Sequence, residues 1–334
     1  MAKYTLASYA VRIRKNREDE YLQLDDFDRS GGDLLKEFYG YLLHLQDRPY
    51  EIEDKERSLE CREVVQDDRA VRFKMAHGVY GAQSRIRERQ SGNVVFQKQQ
   101  DHVDLMDLRN YLILPANSKI GLLFTERFQG NGVLSALTES FKKAFAAKHH
   151  GYTLEINSMT SEAAFGKYLE SGELKRIRLI RQAIPDDVAD TLGMGEHERR
   201  LGKIEVSMSP PHNFSFGKKK LQSAIGSGNG VSSMLEWRGV EYTEMKVLVN
   251  VAGSNRTLSV SSGTTPAMLY DIDDEMRKDN VTELTDDWFY AKTKELAEDL
   301  AQTVGMSVDM MRRIFAWPDV WGHYRLEVPI DQND

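Results

Sequence analysis

Three groups of residues could do chemistry on a phosphodiester. The first is Glu244-Met-Lys246, which opens the apolar run Val247-Leu-Val-Asn-Val251, with Glu236 and Glu241 upstream. A carboxylate ahead of a strand that carries Glu-x-Lys is the arrangement of a magnesium-dependent nuclease. The carboxylates hold Mg²⁺, and the lysine steadies the attacking water or the phosphate. The second group is Asp271-Ile-Asp-Asp274 with Glu126 at the end of an earlier strand, a spacing suited to two-metal phosphoryl transfer. Both have an ordinary structural explanation. A strand end exposes polar residues, and acidic residues open helices.

The third group is basic and needs no metal. It comprises Arg85, Arg87 and Arg89 with Lys98; Lys175, Arg176, Arg178 and Arg181; Arg199, Arg200 and Lys203; and Lys218, Lys219 and Lys220. A cation at a phosphate releases condensed counterions whatever the base sequence. Tyr80, Phe96, Phe214 and Phe216 lie near these clusters and could stack on bases. No helix-turn-helix, zinc-finger or RNA-recognition signature accompanies them, so the expected binding is sequence-independent.

Net charge at first argues against nucleic acid, since the 334 residues sum to −7. The charge is segregated, however. From Asn16 to Asp68 there are 17 acids against 7 bases, while Arg69–Gln100 holds 7 bases and the single acid Glu88. A phosphate backbone responds to the local patch. The competing expectation is that the two segments neutralise each other within the fold.

Other chemistries lack their residues. One cysteine, Cys61, excludes an internal disulfide and a multi-cysteine zinc site, and its acidic surroundings raise rather than lower a thiol pKa. Gly226-Ser-Gly-Asn-Gly230 has no Lys-Ser/Thr behind it and reads as a linker. There is no HExxH and no Gly-x-Ser-x-Gly. No cofactor is expected.

The elements that must position these residues follow from periodicity. Residues 3–14 alternate as a strand rather than forming the apolar core of a secretion leader. Asp33–Leu45 carries helical spacing after Gly-Gly-Asp, and 46–68 reads as an acidic excursion. Ala70–Met75 alternates. Gly78–Asn93 reads as the arm and tip of an extended hairpin with arginines at period two, followed by a short β run at 93–97. Two buried strands near 103–114 and 119–127 join through Pro-Ala-Asn-Ser, then come a helix over Val133–Lys148 and a strand at Tyr152–Ile156. A capped helix from Thr160 and a basic strand over 174–182 complete the first half.

Past residue 183 the composition shifts. An acidic helix start at Ile184 precedes strands near 201–209, 241–251 and 256–260, and helices run over 287–304 and 308–315. The order lacks regular βαβ alternation, which predicts an α+β fold: a mixed sheet with packed helices plus a smaller β-rich second domain. The expected boundaries are 1–182, completed by 286–334, and 183–285. No apolar run approaches the ~20 residues of a membrane span, so a cytoplasmic protein without membrane insertion is expected.

The hairpin Asn110-Tyr-Leu-Ile-Leu-Pro-Ala-Asn-Ser-Lys-Ile-Gly-Leu-Leu-Phe-Thr-Glu-Arg-Phe128, the helix after it and the strand–helix–strand of Tyr152–Gln182 resemble phage-exclusion proteins of the RexA and KwaB kind. The resemblance is one of element order over the first half of the chain plus the terminal helix. It implies homodimerisation, binding of double-stranded DNA with little sequence preference, and a part in sensing phage infection beside a partner defence protein. The acidic segment before Arg69 and the long arginine hairpin depart from that pattern. Three functions follow in order: a non-catalytic DNA-binding defence protein; a Mg²⁺ nuclease using Glu236, Glu244 and Lys246; and an interaction module that binds no nucleic acid.

Overall fold

The computed structural model of the chain describes residues 4–129, 131–159, 172–182, 203–211, 236–237, 240–242, 244–251, 254–261, 267–303, 306–311 and 314–329. They form an α+β structure that divides into two compact units, Ala10–Ile156 with Leu284–Asp334, and Met1–Tyr9 with Asn157–Glu283.

The larger unit opens with β1 (Tyr4–Lys15), whose first residues belong to the other unit, and α1 (Leu34–Asp47). Asp33 caps α1, accepting from the Leu35 amide at 2.9 Å, and Pro49 follows its end at Arg48. Leu34, Leu35, Phe38, Tyr41, Leu42 and Leu45 recur at helical spacing and are buried. Each such side chain contributes roughly 1.5–3 kcal/mol by leaving water. Gly40 is needed on this helix because a Cβ there would meet the Tyr324 ring at 2.4 Å.

The chain continues through β2 (Tyr50–Ile52), β3 (Arg57–Asp67), β4 (Ala70–Val79), β5 (Ser84–Arg87), β6 (Val94–Lys98), β7 (Asp104–Ile113), β8 (Gly121–Phe128), β9 (Asn131–Gly132), α2 (Leu134–Lys148) and β10 (Tyr152–Ser158). Strands β8-β7-β4-β3-β2 lie side by side, all antiparallel. Phe73 of β4 meets Phe38 of α1 at 5.3 Å, and Phe38 meets Phe141 of α2 at 4.9 Å. The segment 46–68, expected as an excursion, instead supplies β2 and the 11-residue β3. A bulge between Cys61 and Glu63 breaks the alternation, and acids occupy many of the remaining positions, which hides the strand.

The smaller unit holds β11 (Glu173–Gln182), β12 (Lys203–Met208), β13 (Glu236–Trp237), β14 (Val240–Glu241), β15 (Glu244–Val251), β16 (Ser254–Ser261), β17 (Ala267–Asp271) and α3 (Ile272–Lys278). Its sheet runs β12-β11-β15-β16-β17, and β17 pairs with the start of β1 through Ala7↔Leu269. The boundary thus differs from the one at 183 suggested by composition. Composition reads local polarity, whereas β11 joins this unit because it is hydrogen-bonded to β15 (Ile177↔Val247) and β12 (Leu179↔Val206).

The chain returns to the larger unit as α4 (Asp286–Thr303), the short α5 (Val308–Met311) and a 3₁₀ turn at Asp319–His323. Helix α4 lies on the β4 face opposite α1. Arg72 sits over the Tyr290 ring, and Tyr290 donates to the Phe73 carbonyl at 3.2 Å. The expected elements at 160–169 and 184–192, the linker at 226–230 and the clusters Arg199/Arg200 and Lys218/Lys219/Lys220 lie outside the described residues. Among the described residues, no helix is long and apolar enough to cross a membrane.

Candidate nucleic-acid interface

Strands β4 and β7 pair from Ala70↔Ile113 to Val79↔Asp104, and the chain between them leaves the sheet as a separate two-stranded arm, β5–β6. Local chemistry makes this hairpin. Gly92 takes φ +78 at the tip, a conformation open to glycine, and its amide donates to Glu88 while the Glu88 amide donates to Asn93. At the base, the Gly81 amide reaches the Gln100 carbonyl at 2.7 Å. The register sets Ser84↔Lys98, Arg85↔Gln97, Ile86↔Phe96 and Arg87↔Val94, with a bulge at Val95.

Every side chain of β5 and β6 is exposed except Lys98. Arg85 and Arg87 share one face, as period two requires. Arg89 lies beyond β5 in the tip, so strand alternation does not aim it. The expectation of three arginines in a row along one strand face therefore holds only for the first two. Lys98 is 8% exposed and donates its ammonium to the Val79 carbonyl at 2.9 Å. This bond anchors the base of the arm.

The seven cations of Arg69–Gln100 thus separate into two sets. Arg69 is buried on Asp33, Arg72 lies 3.8 Å from Asp67, and Lys74 bridges Glu63 and Asp286. With Lys98 these have partners within the fold, Arg69 and Lys98 buried and Arg72 and Lys74 half-buried. Arg85, Arg87 and Arg89 take no ion-pair partner among the described residues. The acidic segment finds other cations: Glu20 meets Lys119, Glu37 meets Lys148, and Asp47 meets Arg325.

In the smaller unit the basic strand β11 is more internally compensated. Lys175 lies 2.6 Å from Glu173, Arg178 lies 3.3 Å from Glu205, and Arg176 is exposed with its Nε 3.3 Å from Ser209 Oγ.

The metal candidates fare differently. Alternation along β15 places Glu244 and Lys246 on one face. In register, Lys246 stands between Arg178 of β11 and Ser259 of β16, so a cation occupies the neighbouring position on one side. The side chains of Glu236 and Glu244 lie outside what is described. Glu126, 1% exposed, accepts from the Arg109 amide at 2.8 Å and its guanidinium at 3.2 Å. Arg109 also holds Asp286 at 2.7 Å. Burial pushes the Glu126 carboxyl up, and Arg109 offsets part of that.

Asp271 caps α3, accepting from the Asp274 amide at 3.0 Å, and burial pushes its carboxyl up to about 6. Among the described residues, no group of three or more Asp, Glu, His or Cys side chains could hold a metal ion. Burial pushes the Cys61 thiol up to about 12, offset in part by a hydrogen bond with the Glu63 backbone and helped by the charges of Glu63 and Glu60, the direction anticipated and the wrong one for a nucleophile.

One property of the arm was not legible in sequence. Ile86 is 54% exposed, Val95 62%, and Val94 and Phe96 about half. Phe96 stacks on His102 with ring centroids 5.5 Å apart. Val94-Val95-Phe96 signals a strand, but nothing in the string tells a solvated ribbon from a core strand. Compared with known proteins, the chain matches no family model and no curated protein sequence.

Proposed function

We propose that this protein is a non-catalytic, sequence-nonspecific DNA-binding protein of phage defence, acting in the cytoplasm as a homodimeric sensor or effector component beside a partner protein. The observation that carries the DNA-binding part is the arm: Arg85, Arg87 and Arg89 stand on an exposed two-stranded ribbon without intramolecular ion pairs among the described residues, while Arg69, Arg72, Lys74 and Lys98 are engaged inside the fold. Unpaired guanidiniums on a projecting element are suited to phosphate oxygens, which accept their fork of donors. The assignment to phage defence rests on the resemblance of Asn110–Phe128 and the elements after it to RexA- and KwaB-type proteins.

The test is a gel shift of the full chain on unrelated duplexes, with Mg²⁺ and with EDTA. The expected result is a shift on all of them, weakening steeply with salt and without cleavage. Mg²⁺-dependent cleavage, or no shift at low salt, overturns the reading.

A further inference from the structure

Phosphate contact needs cations and hydrogen-bond donors, yet the arm also carries Ile86, Val94, Val95 and Phe96 at about half exposure or more. Their placement is ordered. The bulge sets Val94 and Val95 against the single residue Arg87, next to the tip that carries Arg89. An apolar pair is thereby flanked by guanidiniums at the far end of a projecting ribbon. Two-stranded ribbons can enter either groove of a duplex, the minor groove included. From the minor groove, apolar side chains flanked by cations push between base steps and kink the duplex, at a cost that is smallest where stacking is already broken.

We infer that the arm recognises duplex DNA at unstacked or readily unstacked steps, such as a gap or nick, with Val94 and Val95 as the inserted group. This rests on the DNA-binding reading above and adds the substrate class. Charge selects the occupant. A second copy laid on the same patch about a two-fold axis would bring its own Arg85, Arg87 and Arg89 against these, whereas a polyanion meets them with opposite charge.

The experiment uses the full chain and three duplexes of roughly 30 base pairs, intact, nicked and gapped by two nucleotides, of one sequence. Anisotropy gives affinity, end-to-end energy transfer gives bending, and light scattering gives the mass of the protein alone. The unaltered protein should bind the gapped duplex about tenfold more tightly than the intact one and shorten its end-to-end distance. V94S/V95S should bring that ratio to within about twofold while leaving intact-duplex affinity within about twofold, and V94L/V95L should retain the preference. Equal affinity of the unaltered protein for all three duplexes overturns the inference alone. Absence of binding to any duplex overturns the DNA-binding reading and the inference with it. A preference untouched by V94S/V95S, or a change of mass without a change of preference, also overturns it, the latter assigning the patch to a second copy.

Discussion

Arg69 grips Asp33 through two nitrogens, at 2.6 and 3.1 Å, with both side chains buried beneath Phe315, whose ring lies 4.8 Å from the guanidinium carbon. The most acidic and most basic stretches of the chain meet at this pair. It shows where one of the seven cations of Arg69–Gln100 goes: into holding α1, the Leu114 carbonyl and the Phe315 segment together.

Breaking that pair should be costly. Arg69→Met leaves the Asp33 carboxylate buried without its cation, and a loss of about 3–5 kcal/mol in urea unfolding is expected. Asp33→Asn keeps a capping oxygen for α1 but leaves the Arg69 guanidinium buried without its counter-charge, so a loss in the same range is expected. Neither change should alter the salt dependence of DNA binding, because neither residue reaches the arm's surface.

The arm arginines should behave in the opposite way. R85A/R87A/R89A removes three exposed cations with no ion-pair partner among the described residues, so the unfolding free energy should stay within about 0.5 kcal/mol of the parent. DNA affinity should fall equally for all sequences, and the slope of log affinity against log salt should flatten by up to about 3 units. A variant that loses stability while retaining its slope would place these arginines inside the fold.

Lys98 separates anchoring from binding. Its ammonium holds the Val79 carbonyl at the base of the arm. Lys98→Met should speed amide exchange in β5 and β6 and leave the salt slope unchanged. A slope reduced by about one unit would mean that Lys98 contacts phosphate.

Acid should loosen the larger unit through Glu37. This buried carboxylate receives Lys148 at 2.9 Å and the Tyr324 hydroxyl, with His149 3.4 Å away. Burial alone would raise its pKa, but the nearby His149 imidazole together with bonds from Tyr324 and Lys148 outweighs that and holds it at about 2, below its ordinary 4.5. A depressed carboxyl stabilises the fold above its unfolded pKa and loses that contribution as pH falls toward the folded value. Roughly 3 kcal/mol should therefore disappear between about pH 4.5 and 2. Glu37→Gln should be less stable at neutral pH and show a shallower acid slope in that window, read by denaturant midpoints at each pH.

Periodicity and capping in the string determined much of the local structure. Asp33 before an apolar period of 3.6 made α1, alternation from Ala70 to Met75 made part of β4, and glycines around Arg85–Arg89 made a hairpin. These are interactions among neighbours, so neighbours suffice to read them. Tertiary structure alone decided which cations are available. Arg72 and Arg85 are indistinguishable as letters, yet one lies between Asp67 and the Tyr290 ring while the other stands in solvent. It also hid β3 behind a bulge, drew β11 into the smaller unit through β15, and left Val94 and Val95 outside a core. The physical reason is shared. Burial and charge pairing depend on what a distant segment brings to a residue, and the partner of Arg72 on the helix face, Tyr290, lies more than two hundred positions along the chain.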